Sequence, residues 1–239
     1  MSLTVIVDYE SGNLHSAEKA FQRMAAETDA GGVLVSSRPE EIVRADRIVL
    51  PGDGAFPACR EALFGRSGLF EAIEEAVTVR ARPFLGICIG MQMMATRGLE
   101  YRETPGFGWI PGEVVRIAPA DRRLKVPHMG WNDLVIDRPH PVLAGIGTGQ
   151  HAYFVHSYHF RVADPAHLLA HCDYGGPITA IVGRDSMVGA QFHPEKIQAT
   201  GLSSPDYDLS SVDGTLTVDP IVLTATGIPP WRETRLRCR

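Results

Sequence analysis

The chain has 239 residues, 44% hydrophobic and 21% charged, and 23 basic against 28 acidic side chains give a net charge of −5. That length fits one large domain, and the composition excludes wholesale disorder. The acidic balance argues against a phosphate-backbone binder, and no apolar run approaches the roughly 18–20 residues of a membrane span, so neither nucleic acid nor a membrane is an expected partner.

Leu3-Thr4-Val5-Ile6-Val7 is a β-branched strand, followed by a polar turn through Ser11-Gly12-Asn13. Asn13 is a predicted N-cap, with Ala17, Ala20, Phe21 and Met24 at helical spacing behind it. Val33-Leu34-Val35 is a second strand, and Ser37 with Glu40 predicts a capping box opening a helix over Glu40–Ala45. Arg47–Leu50 is a third strand ending at Pro51-Gly52, with helices expected over Pro57–Leu63 and Leu69–Arg80. Pro83–Ile87 is a fourth strand that runs into the helix-forming Met91–Met94. This alternation implies βαβ units around a mostly parallel sheet flanked by helices. The second half changes texture. Glu113–Ile117, Asn132–Ile136, Ala152–His159, Leu168–Cys172, Thr179–Val182 and Met187–Phe192 are short strand candidates separated by turns, so an antiparallel region is expected there.

Three local patterns carry chemistry. Gly86-Ile87-Cys88-Ile89-Gly90 lies where a strand stops and a helix begins, with the glycine spacing of a nucleophile elbow and cysteine in place of serine. A helix N-terminus at that point favours the thiolate; the pentapeptide alone equally fits a buried structural cysteine. In Gln191-Phe192-His193-Pro194-Glu195, His193 and Glu195 are two apart and share one face of an extended segment, a base with its orienting group. By itself this is also an ordinary turn. Pro51-Gly52-Asp53-Gly54 can present backbone N–H groups to an oxyanion, or simply end a strand. Together the three point to acyl transfer through a thioester, with hydrolysis of an amide or ester.

These residues resemble the class I (triad-type) glutamine amidotransferases. The segments Val7–Leu14, Pro127–Asn132, Tyr153–Tyr158 and Phe192–Lys196 narrow the resemblance to the glutaminase subunits of imidazole glycerol phosphate synthases, over about residues 3–202. The resemblance implies an α/β, flavodoxin-like fold in which Cys88 attacks the carboxamide of L-glutamine, His193 moves the proton and Glu195 orients it. Gly52 and the N–H of Ile89 would face the oxyanion; Gln92, Ser157 and Tyr158 would contact the substrate. Ammonia would pass to a (β/α)₈-barrel cyclase subunit in a heterodimer of histidine biosynthesis, with Trp131, Tyr153 and Lys196 near the interface. Trp131 and Tyr153 also fit a role as core aromatics, and Lys196 that of a solvated lysine. The alternatives are an amidotransferase serving another synthase, a stand-alone γ-glutamyl hydrolase, or a catalytically impaired binding subunit.

No metal or cofactor is expected. His156 and His159 fall on opposite faces of a strand, and Gly106-Phe107-Gly108-Trp109 lacks the continuation of a phosphate loop. Cys59, Cys172 and Cys238 lack neighbouring bases, and four scattered cysteines with no basic n-region at the start fit a reducing cytoplasm. Two features depart from the family pattern. Asp53 puts a carboxylate in the oxyanion turn, unfavourable if it points inward. The domain is expected over 1–202, with 203–239 a divergent tail in which Pro205, Gly214 and Pro220 would break the usual final helix.

Overall fold

The computed structural model describes residues 2–193. Strand β1 (Leu3–Val7) leads to helix α1 (Leu14–Thr28), then β2 (Gly32–Ser36), α2 (Pro39–Arg44) and β3 (Arg47–Gly52). Helices α3 (Phe56–Phe64) and α4 (Leu69–Glu74) follow, α4 continuing into a π-helical turn over Glu75–Val79. Strand β4 (Phe84–Cys88) turns directly into the short helix α5 (Ile89–Gln92). Beyond it come β5 (Arg97–Gly98), β6 (Thr104–Pro105), β7 (Gly112–Arg116), β8 (His128–Asp133) and β9 (Val135–Ile136). The described chain ends through β10 (His151–His156), β11 (Tyr158–Val162), β12 (Leu168–Asp173), β13 (Pro177–Arg184) and β14 (Met187–Ala190).

The main sheet has eight strands in the order β2-β1-β3-β4-β14-β13-β12-β9. Neighbours from β2 to β14 are parallel and those from β14 to β9 antiparallel. This is the mixed architecture expected from the two textures of the sequence. The parallel strands are apolar without alternation, as a sheet covered on both faces requires: Val5, Ile6, Val7, Ile48, Val49 and Leu50 are all fully buried. Two smaller sheets flank this one, β10-β8 and β11-β7-β5-β6.

The structure follows the local signal where a single side chain sets the geometry. Asn13 caps α1, its Oδ1 accepting from Ser16 N at 3.1 Å. The capping box at Ser37 and Glu40 does not form. Pro39 takes the first turn of α2, and the serine one place earlier, Ser36, bonds Glu41 and accepts from Arg38 N at 3.0 Å. The single strand expected over Ala152–His159 is two: β10 pairs with β8 and β11 with β7, and the chain changes sheet at Ser157. Helix α5 begins directly after Cys88, where the elbow pattern expects a helix N-terminus, and is four residues long.

Among the described residues no helix is long and apolar enough to cross a membrane. Glu195, Lys196, Cys238 and the divergent tail lie outside the described residues.

Candidate active site

The elbow is built by exclusion. Cys88 sits at φ 55°, ψ −111°, a left-side conformation that non-glycine residues rarely adopt and that costs on the order of 1–3 kcal/mol. Two glycines make room for it. A Cβ on Gly86 would stand 2.6 Å from the Gly90 carbonyl oxygen, and one on Gly90 only 1.9 Å from that of Leu50. In the register of β3 and β4, Gly52 lies opposite Cys88, and a Cβ there would meet Tyr9 Oη at 2.5 Å and Gly90 N at 3.1 Å. The turn at Gly52, the elbow at Cys88 and the start of α5 therefore touch through backbone, with Cys88 itself buried.

The loop after β1 braces that turn. Asp53 N donates to Ser11 Oγ at 3.2 Å, and Asp53 Oδ1 accepts from Gly12 N at 3.2 Å. The Asp53 carboxylate is thus turned away from the elbow onto the exposed β1–α1 loop, which removes the conflict its charge raised. Cys59 Sγ bonds the Asp53 carbonyl at 3.0 Å and lies 3.2 Å from Ser11 Oγ; burial pushes its pKa up. It is a structural thiol, as is Cys172, pushed up to about 12 mainly by burial. Glu100, a residue that sequence reasoning missed, is a buried carboxylate whose Oε2 accepts from Phe56 N at 2.8 Å and so fixes the start of α3 behind the turn. A Gly-Leu-Glu run carries no local mark of that distant contact.

Strand β14 leads His193 to the same edge. It lies parallel to β4 with Ala190 opposite Ile87, so Gln191, Phe192 and His193 leave the sheet beside Cys88. His193 is half-buried there. Gln191, a second residue not singled out beforehand, donates through Nε2 to Cys88 Sγ at 3.5 Å. Its signal in the sequence is a polar side chain closing the apolar run Met187–Ala190. Gln92, one turn into the elbow helix, donates through Nε2 to Gln191 Oε1 at 2.9 Å and to the Tyr158 carbonyl at 3.2 Å. These two acceptors fix its orientation, and its buried Oε1 has no partner among the described residues. Tyr158 also accepts from His156 Nδ1 at 2.8 Å, so both lone pairs of its carbonyl are engaged by the protein. Ser157 stands at the turn between β10 and β11, its carbonyl accepting from Ile117 N at 2.9 Å.

The ribbon of β8 and β10 has two faces. His128, Ala152, Phe154 and His156 are buried, whereas Met129, Trp131 and Val155 are 60%, 49% and 41% exposed. Trp131 and the half-buried Tyr153 pair across the ribbon, rings edge to face at 5.5 Å. Neither is a core aromatic. Among the described residues no group of three or more His, Cys, Asp or Glu could hold a metal. The amides of Gly106, Phe107, Gly108 and Ile110 all bond main-chain carbonyls of residues 93–96, so that turn offers no phosphate cradle.

A strand-to-helix cysteine elbow, a braced glycine turn and a histidine three residues past the end of the adjacent parallel strand accompany the family match: the chain belongs to the class-I glutamine amidotransferase family, whose model (Glutamine amidotransferase class-I) matches residues 5–205. Relatives narrow it further. The chain is 80% identical over 200 residues to the imidazole glycerol phosphate synthase subunit HisH of Cereibacter sphaeroides, covering 84% of this chain and 94% of that one. Identity to the subunit of the same name from Ruegeria pomeroyi is 68%, and from Rhodospirillum rubrum 56%, over 84% and 82% of this chain and 94% and 93% of theirs. Among solved structures, one of a glutamine amidotransferase superposes with TM-score 0.59 at 20% identity, over 80% of this chain and 90% of that one. Another, from Thermotoga maritima, gives 0.56 at 16%, over 81% and 76%. At those identities the likeness concerns the fold.

Proposed function

We propose that this chain is the glutaminase subunit of an imidazole glycerol phosphate synthase, hydrolysing L-glutamine at Cys88 and handing ammonia to a cyclase subunit in the cytoplasm. The observation that carries the reading is the strained elbow: Cys88 holds an unfavourable backbone conformation where three glycines have no room for a side chain. Such strain persists at nucleophiles because the turn projects the reactive atom clear of the sheet.

In the proposed reaction Cys88 Sγ gives up its proton to His193, oriented by Glu195, and attacks the substrate carboxamide carbon. Backbone N–H groups at Gly52 and Ile89 stabilise the oxyanion. Collapse of the tetrahedral adduct breaks the C–N bond, and His193 returns the proton to the departing ammonia. Water, deprotonated by the same histidine, then cleaves the thioester to glutamate. The unpartnered Gln92 Oε1 supports a role in accepting an N–H of the bound glutamine. With the Tyr158 carbonyl already engaged, any grip by Ser157 and Tyr158 on the substrate falls to the Ser157 hydroxyl and to N–H groups.

The apolar outer face of the β8–β10 ribbon supports docking of the cyclase on Trp131 and Tyr153, with Lys196 adding a charged contact. We assign residues 1–202 to the amidotransferase domain and 203–239 to a divergent tail. The family match to 5–205 and relatives' alignments covering 84% of the chain support that division.

The test is glutamate release from glutamine by the full chain, with and without a cyclase subunit and its ribonucleotide ligand, beside Cys88→Ala. Stimulation by the partner that vanishes in the variant is expected. Partner-independent turnover would identify a free hydrolase, and binding without turnover a non-catalytic subunit.

A further inference from the structure

The hydrogen bonds behind Cys88 form one continuous chain that reaches the β8–β10 ribbon. Gln191 Nε2 donates to Cys88 Sγ at 3.5 Å, Gln92 Nε2 to Gln191 Oε1 at 2.9 Å and to the Tyr158 carbonyl at 3.2 Å. His156 Nδ1 donates to that same carbonyl at 2.8 Å. His156 Nε2 lies 3.3 Å from His128 Nδ1, and His128 Nε2 lies 3.2 Å from Asn132 Nδ2. Asn132 Nδ2 is held in turn by the Asp173 carbonyl at 2.8 Å.

The proton positions follow from these partners. A carbonyl only accepts, so His156 carries its hydrogen on Nδ1 and its neutral Nε2 is an acceptor. His128 must then donate from Nδ1 and accept at Nε2, which meets the amide donor of Asn132. Every link is satisfied with both rings neutral, and a proton added to either ring sets donor against donor at one link. Burial works the same way, holding both imidazoles well below their ordinary range, at about 4. The His128 ring is clamped between Tyr174 and Phe154, centroids 4.0 and 4.9 Å away.

We propose that His128 and His156 are positioning residues for the nucleophile: they hold the Tyr158 carbonyl, which orients the amides of Gln92 and Gln191 so that a Gln191 N–H remains on the Cys88 sulfur. Gln191 is the member that touches the reacting atom, and its N–H stabilises the thiolate over the thiol. The histidines act through it, over a path that no single segment of sequence contains. The proposal rests on the reading of Cys88 as nucleophile.

Two measurements on the full chain test it. The first is the rate of alkylation of Cys88 by iodoacetamide near neutral pH, resolved from the other cysteines by peptide mass spectrometry. Gln191→Leu is expected to slow it about tenfold, the effect of a lost hydrogen bond to a charged group. His128→Gln, whose amide cannot reach His156, is expected to slow it several-fold. His128→Asn, whose amide nitrogen stands where Nδ1 stood, is expected to stay within about twofold of the unsubstituted chain. Equal rates in His128→Gln and His128→Asn, or an unchanged rate in Gln191→Leu, would overturn the relay. If Cys88 of the unsubstituted chain reacts no faster than Cys59 and Cys172, the nucleophile reading itself fails. The second needs no variant: ¹⁵N NMR of the imidazoles is expected to find both rings neutral with the hydrogen on Nδ1, and an Nε2–H tautomer in either ring would overturn the proposal.

Discussion

At the β4–α5 elbow the structure is specified by atoms that are absent, whereas in the β8–β10 ribbon it is specified by the alternation of side chains that are present. Around Cys88 the constraint is backbone against backbone, as at Gly90, where a Cβ would lie 1.9 Å from the Leu50 carbonyl oxygen. In the ribbon a residue meets the core or the outside according to its parity, His128 inward and Met129 outward. The first kind of site tolerates almost no substitution at its glycines. The second tolerates change on one face while the other stays fixed. A catalytic centre gains rigidity from the former, and a surface gains freedom to adapt to a partner from the latter.

That contrast is open to attack, most severely at Gly90. Gly90→Ala is expected to cost on the order of 3 kcal/mol or more, because the clash is with main chain that cannot rotate away. Denaturant unfolding would measure it, and a loss below about 1 kcal/mol would mean the elbow is softer than its contacts imply. The inner face of the ribbon is expected to respond to acid. His128 and His156, held down at about 4 by burial, bind fewer protons when folded than when unfolded, so stability falls as pH drops from 6.5 toward 4. The slope approaches about 1.4 kcal/mol per pH unit for each histidine. His159, also held at about 4, adds in the same direction. Thermal melts across that window should show a shallower pH dependence in His128→Asn, by one histidine's share, with the contributions of His156 and His159 remaining.

On the outer face, Trp131→Ala should change folding stability by less than about 0.5 kcal/mol yet weaken cyclase binding by about 2 kcal/mol, as an exposed aromatic anchor does. Titration calorimetry beside unfolding separates the two quantities, and equal losses in both would make Trp131 a structural residue. The smallest expected effect has the opposite sign. Cys88→Gly removes the nucleophile and also relieves the positive φ, so the inactive variant should be more stable by about 1 kcal/mol.

Much of the elbow is legible in sequence because its logic is local: five consecutive residues contain Cys88 and both clearance glycines, Gly86 and Gly90. The same holds for the Asn13 cap. No capping box forms at Ser37 and Glu40, because Pro39, rather than the Ser-x-x-Glu spacing, decides where α2 starts. The strand at 152–159 shows a different limit. Its hydrophobic pattern runs on through Ser157, and nothing in a period-2 pattern marks the point where a chain leaves one sheet for another. Contacts made across the fold are the least legible. Gln191 and Cys88 are 103 residues apart, and Glu100 and Phe56 44 apart. Asp53 reads as a hazard in sequence because its charge is visible there, while the Gly12 N–H that donates to its carboxylate is not.

The alternation of the β8–β10 ribbon also binds two inheritable properties together. Shifting β8 by one residue would turn Trp131 and Met129 inward and His128 outward, and shifting β10 would turn Tyr153 and Val155 inward and His156 outward, exchanging one face of the strand for the other. Substitutions can tune the outer surface or the inner hydrogen bonds one at a time. An insertion or deletion of a single codon within 128–133 or 151–156 cannot, since it removes both in one step. Descendants of this chain are therefore free to vary in the letters of these two segments and held fixed in their length.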